Sequence, residues 1–156
     1  MDGRDPAHAA ALIEKLGLSS HPEGGWYLES WRADAPPGER GSGTAIWYLL
    51  EQGQRSHWHR VDATEIWHFY AGTPLLLRTA PGNAGQQGAS IDRHLLGPDV
   101  LAGQLPQIVI AKGDWQAAEA RDGWALVGCT VSPAFEFAGF ELASQGWSPG
   151  NEQVDR

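Results

Sequence analysis

The chain has 156 residues and a formal net charge of −8 at pH 7, with 42% hydrophobic and 19% charged residues. That suffices for one domain with a buried core, is too apolar for a disordered chain, and argues against a nucleic-acid partner, whose phosphates need neutralising. No apolar run reaches the roughly 20 residues of a membrane helix, the start MDGRDPAHAA lacks a signal-peptide core, and the single Cys129 excludes a disulfide framework; a cytoplasmic protein without a membrane partner is expected.

Asp5-Pro6 opens the one clear helix, with Asp5 as cap and Pro6 at the first helical position. Leu12, Ile13 and Leu16 form its apolar stripe and Gly17 ends it. From there the pattern predicts short strands at 26–31, 44–50, 56–61, 65–71, 75–79, 91–96, 107–111, 115–119, 124–131 and 138–142, separated by turn residues. Gly 20 and Pro 10 supply those turns, and such spacing indicates an all-β sandwich or barrel. Strands 56–61 and 65–71 read as a hairpin joined by Asp62-Ala63-Thr64. Residues 81–89 read as a polar glycine-rich loop. The domain is expected to span 1–143, with 144–156 as a frayed polar tail.

The densest chemistry lies in Ser56-His57-Trp58-His59-Arg60-Val61-Asp62-Ala63-Thr64-Glu65. On a strand, His57 and His59 point to one face, and the hairpin sets Glu65 beside His59. Two imidazoles and a carboxylate can hold iron, manganese, nickel or zinc; without metal, they form a polar pocket. Eight tryptophans, among them Trp47, Trp67, Trp115 and Trp124, together with Tyr48 and Phe69, are candidates for an aromatic pocket wall or for ordinary core. Glu23 precedes Gly24-Gly25, where backbone can approach a ligand, although a turn-stabilising role fits it better. Cys129 reads as a small buried residue, His21 as structural, and His8, His68 and His94 as lying away from the pocket.

His57-x-His59-x5-Glu65-x6-Gly72 resembles the first motif of the cupin superfamily. The second-motif stretch is Ala111-Lys112-Gly113-Asp114-Trp115-Gln116, where alanine and glutamine stand at the proline and histidine positions. His21-Pro22-Glu23-Gly24-Gly25-Trp26-Tyr27, Ser56-x-x-His59-Arg60, Glu65-Ile66-Trp67-His68-Phe69-Tyr70-Ala71-Gly72 and Leu126-Val127-Gly128-Cys129-Thr130-Val131-Ser132-Pro133-Ala134-Phe135-Glu136-Phe137 together look like the cupin-5 family. The resemblance implies an all-β double-stranded β-helix, a jelly-roll barrel with one short N-terminal helix, similar in fold to nucleotide-sugar epimerases.

Three functional readings stay open. In the first, the barrel binds a small polar metabolite such as a sugar or nucleotide-sugar. His59 and Glu65 then serve as the acid/base pair of an epimerase or isomerase, with His57, Trp67, Phe69, Tyr48, Gln116 and Glu23 contacting the ligand. In the second, the barrel is a non-catalytic receptor. In the third, His57, His59 and Glu65 hold a divalent transition metal for oxygenase or isomerase chemistry. A homodimer is expected, because jelly-roll sheets leave edge strands and the chain carries more aromatics than one small barrel should bury.

Overall fold

The computed structural model describes residues 2–83 and 90–150. Most of the loop expected at 81–89, and the last six residues of the tail, lie outside them. Helix α1 (Pro6–Leu16) begins where the Asp5 carboxylate accepts from the Ala7 N–H at 2.9 Å and stops at Gly17, whose φ of 68° suits glycine. Eleven strands follow: β1 (Ser19–Ser20), β2 (Trp26–Arg32), β3 (Thr44–Leu50), β4 (Arg55–Val61), β5 (Thr64–Gly72), β6 (Leu75–Ala80), β7 (Asp92–Leu96), β8 (Gln107–Ile110), β9 (Trp115–Glu119), β10 (Ala125–Ser132) and β11 (Phe140–Leu142). The two-residue β1 and a 3-10 turn at Val100–Ala102 carry no pattern long enough to be predicted, and the strand expected at 138–142 opens as a 3-10 turn at Phe137–Gly139.

The strands form two antiparallel sheets facing each other, the expected all-β jelly-roll with one short helix. One runs β1-β2-β3-β10-β5-β8, the other β11-β4-β9-β6-β7. Alternation along each strand sends one set of side chains inward. Tyr48, Leu50, Trp67, Leu75, Leu77, Leu96, Ile108, Ile110 and Val127 make the central core. Helix α1 covers part of the outer face of the six-stranded sheet, where Ala9 and Leu18 pack with Leu49 and Trp124.

Two expectations are corrected. The segments 56–61 and 65–71 are not a hairpin. β4 pairs with β11 and β9, while β5 pairs with β10 and β8, so the short link at 62–63 crosses from one sheet to the other. The tail expected to fray from 144 packs back at Trp147. The Trp147 ring packs 4.5 Å from that of Trp115, and its cluster with Trp58, Ala80 and Ala117 closes the outer face of the five-stranded sheet. No helix among the described residues is long and apolar enough to cross a membrane.

Candidate functional site

A cavity of about 180 Å³ opens between the two sheets at one end of the barrel. His21, Glu23, His59, Glu65 and Cys129 line its inner part, with Tyr27, Phe135, Phe137 and Phe140 among the ring-bearing walls.

The strand bearing His59 is irregular. Ser56 pairs with Ala118 and His59 with Gln116, and a β-bulge lies between the two pairs. A bulge inserts one residue and reverses which side chains face inward beyond it. Ser56 and His59 are therefore both buried on the inner side, whereas the His57 ring leaves the cavity and meets the Ser144 carbonyl at 3.0 Å. The expectation that His57 and His59 share a face fails for this reason. The backbone polar groups freed at His57 are both used. Its N–H donates to the Glu23 carbonyl at 2.8 Å, and its carbonyl accepts from His59 Nδ1 at 2.7 Å.

Glu23 arrives from the turn between β1 and β2. Gly24 and Gly25 have φ of 111° and 79°, and a Cβ at Gly24 would collide with the Arg55 carbonyl. Tyr48 reinforces the turn by donating its hydroxyl to the Gly24 carbonyl. The carboxyl of the Glu23 side chain, which is 6% exposed, thereby reaches His59 Nε2 at 3.1 Å and lies 3.8 Å from His21 Nδ1. His21 Nδ1 accepts the Glu23 backbone N–H at 3.1 Å, so its ring carries its proton on Nε2 when neutral.

The third group is Glu65, on the opposite sheet from His59. An indole can only donate, so Trp67 Nε1, 2.6 Å from Gln116 Oε1, fixes which way the amide faces. The Gln116 NH2 is then turned to Glu65 Oε1 at 3.0 Å. A chain of three buried side chains thus orients the carboxyl.

Electrostatics follow from burial. Desolvation pushes Glu65 up to about 7, helped by the neighbouring Glu23 and opposed by His59. Burial also raises Glu23 and lowers His59 and His21. The Cys129 thiol and the Tyr48 phenol are held well above their usual ranges, first by burial and then by the nearby carboxyls. Because His59 Nδ1 keeps its hydrogen on the His57 carbonyl, Nε2 and the Glu23 carboxyl have one proton to share. The Ser56 hydroxyl is buried beside Glu23 and Tyr48.

Of the residues singled out in the sequence, His59, Glu65 and Glu23 meet in the cavity. Tyr48 and Gln116 stand one layer behind, fully buried, holding Glu23 and Glu65 in place. Trp67 belongs to the core, and Phe69 packs against it. Trp47, Trp115 and Trp124 pack in the two outer clusters, because alternation turns them away from the barrel. The rings at the mouth come instead from the segment after β10. Phe135, Phe137 and Phe140 meet edge to face at 5.0–6.0 Å. Arg32 holds them by donating to the Phe135 carbonyl at 2.9 Å while paired with Glu29, and Arg40 by donating to the Ala134 carbonyl at 2.7 Å while paired with Asp62. His21 was read as structural, yet it lines the cavity; its only signal was the neighbouring Glu23-Gly24-Gly25.

The set His57, His59 and Glu65 does not fit a metal. Its first imidazole faces the Ser144 carbonyl, and the second-motif position offers the amide of Gln116, already bonded to Trp67 and Glu65. Among the described residues no three His, Cys, Asp or Glu side chains are arranged to hold a metal ion.

Residues 10–143 match the model of Cupin_5, described as cupin superfamily (DUF985). The crystal structure of protein SO0799 from Shewanella oneidensis is similar at 37% identity and a TM-score of 0.80, over 88% of this chain and 85% of that one. A hypothetical protein from Leishmania major is similar at 31% identity and a TM-score of 0.77, over 88% of each chain. Oxalate decarboxylase from Lactobacillus farciminis shares the fold alone, at 19% identity and a TM-score of 0.55, over 80% of this chain and 33% of that one. No curated protein matches the chain.

Proposed function

The chain belongs to the Cupin_5 family of the cupin superfamily, and from that premise we propose that its barrel binds a small polar metabolite and moves protons on it, as an isomerase or epimerase does. The observation that carries the reading is the pairing of His59 Nε2 with Glu23 at 3.1 Å, with Glu65 in the same cavity. The dyad shares one proton and accepts a second, so it serves as general base. Glu65, raised to about 7, is protonated often enough near neutral pH to serve as general acid. Abstraction of a proton next to a carbonyl, with return at another atom or face, needs a base and an acid placed in this way.

The test is solvent exchange. The protein is incubated in D2O with a panel of small hydroxy-aldehydes and hydroxy-ketones, and deuterium at carbon is followed by NMR. Enzyme-dependent incorporation is expected, falling by about 10²–10⁴ in His59→Ala. Saturable binding of panel members with no exchange in the native protein would favour the non-catalytic receptor instead. That second reading draws on the same walled cavity.

The reading includes a second copy of the chain. Beyond helix α1, the outer face of the six-stranded sheet carries Trp31, Tyr70 and Val109, 52%, 53% and 64% exposed. The register sets Leu28, Trp47, Gly128, His68 and Gln107 in one row across it, and none of these carries a fixed charge. Two copies of charge −8 can approach most readily on such a face. Light scattering at tens of micromolar should give a dimer mass; a monomer mass would remove the second copy.

A further inference from the structure

We infer that the cavity accepts a small molecule whose buried head donates hydrogen bonds and carries no negative charge, an amine or a polyol rather than a phosphate, a carboxylate or a nucleotide sugar. The inference rests on the reading of this cavity as the ligand site and names the class of its ligand.

Among the described residues lining the cavity there is no lysine or arginine, whereas Glu23, Glu29 and Glu65 all contribute. The guanidiniums that hold the mouth are already matched: Arg32 donates to both oxygens of Glu29 at 2.7 and 2.9 Å, and Arg40 to both of Asp62 at 3.0 and 2.7 Å. The two imidazoles bring no fixed positive charge, since burial disfavours their protonation. An anion drawn into this space would leave water and meet three carboxyls with no cationic side chain among the described lining residues, an arrangement that burial of charge makes costly. The diphosphate of a nucleotide sugar would find no cationic partner there. The field of the whole chain, net −8, has the same sign.

Beside the hydroxyls of Ser19, Tyr27 and Thr44 and the His21 ring, the wall offers carboxyl acceptors and ring faces. Carboxyl oxygens of Glu23 and Glu65 accept from hydroxyl or ammonium groups. The rings of Phe135, Phe137 and Phe140 present electron-rich faces that attract ammonium groups and pack on C–H surfaces. The volume of about 180 Å³ lies below the roughly 300–1,000 Å³ of sites for drug-sized ligands, so the ligand is of fragment or single-ring size.

Cys129, the only cysteine, lines the cavity and serves as a reporter. Methanethiosulfonate reagents of similar size, bearing an ethylammonium, a methyl or an ethylsulfonate group, transfer their thioalkyl group to it and release methanesulfinate. Labelling is followed by mass spectrometry, and each rate is divided by that of the same reagent with 2-mercaptoethanol. The ammonium reagent should label at least about tenfold faster than the sulfonate, and Glu65→Gln should narrow the ratio. Equal rates, a faster sulfonate, or no labelling of the folded protein under conditions that label it in urea would overturn the inference. Competition against the methyl reagent separates the sources. Stronger protection by ethanolamine than by glycerol assigns an amine head and the reverse a polyol head, while protection by glycolate or phosphate overturns it. An anion preference in a protein whose deuterium exchange still depends on His59 would remove the ligand class and leave the acid–base reading standing. A cation preference without exchange would do the opposite.

Discussion

The two ends of the barrel interior are built from the same strands and differ in almost everything else. On β3, Tyr48 and Leu50 face the core, and Ile46 and Thr44, two and four residues before Tyr48, line the cavity. On β10, Val127 and Ala125 belong to the core, Cys129 touches both regions, and Val131 belongs to the cavity. On β5 the change comes in one step of the alternation, from Trp67 to Glu65. The apolar end needs nothing beyond alternation and volume. The polar end needs devices from outside the regular sheet: a glycine turn to deliver Glu23, a bulge to turn His59 inward, and a buried amide to hold Glu65. A sheet makes a core by repetition and makes a site by interruption.

The widest separation between the ends should come from Leu77→Ala, at a fully buried core position on β6. It should cost about 2–5 kcal/mol by cavity formation. For a chain of this length that is about 2–4 °C in Tm per kcal/mol, with the pH dependence of stability unchanged. Denaturant unfolding at two pH values checks both halves of the statement.

Next comes the pH response of the polar end. Glu65 binds its proton more tightly in the folded chain, at about 7, than its ordinary 4.5 in the unfolded chain. Between those values the folded state holds more protons, so this group's contribution makes stability fall as pH rises from about 4.5 to about 7 and level off above. A difference of roughly 2.5 units at 1.36 kcal/mol each sets the fall at about 3 kcal/mol. Glu65→Gln keeps the shape without the titration, and its stability should lose that fall. A variant with the native slope would show that Glu65 is ionised throughout.

Trp67→Phe probes the boundary between the two ends. It keeps the ring in the core but removes the donor to Gln116 Oε1, at a cost of about 1–3 kcal/mol for a buried acceptor left unmet. With the amide free to turn over, the upward shift of Glu65 should change as well, which carboxyl NMR titration reads directly. A variant that loses stability while Glu65 titrates as before would make the chain of bonds purely structural.

The smallest effect on stability belongs to Phe137→Ala at the mouth, where the ring is 56% exposed. Within about 0.5 kcal/mol of the native stability is expected, as for surface positions, together with weaker binding of whatever ligand protects Cys129. A loss beyond about 2 kcal/mol would reassign the mouth rings to the core.

The regular half of this structure was legible in the sequence, because turn glycines and prolines punctuate strands whose alternation is clear. The helix with its Asp5 and Gly17 ends, and the ten longer strands, lie close to their predicted places. What the local pattern cannot carry is partnership. Residues 56–61 and 65–71, with a short polar link between them, look the same whether they pair with each other or enter different sheets. The bulge between Ser56 and His59 is equally silent, since a register exists only with respect to β9. His59 and Glu65 were still found together, because both sheets face one interior. Glu23 was visible only through Gly24-Gly25, and His21 only through Glu23.

The contact between Trp67 and Gln116 also limits where this sequence can go next. A histidine at 116 that ligated a metal would give one ring nitrogen to the ion and carry hydrogen on the other. If that other nitrogen faced the Trp67 indole, two donors would meet with no acceptor between them. Moving this barrel to metal chemistry through that position therefore takes two substitutions, and whichever came first would pass through an intermediate that leaves a buried polar group unmet. In the present pair, each residue meets the hydrogen-bonding need of the other.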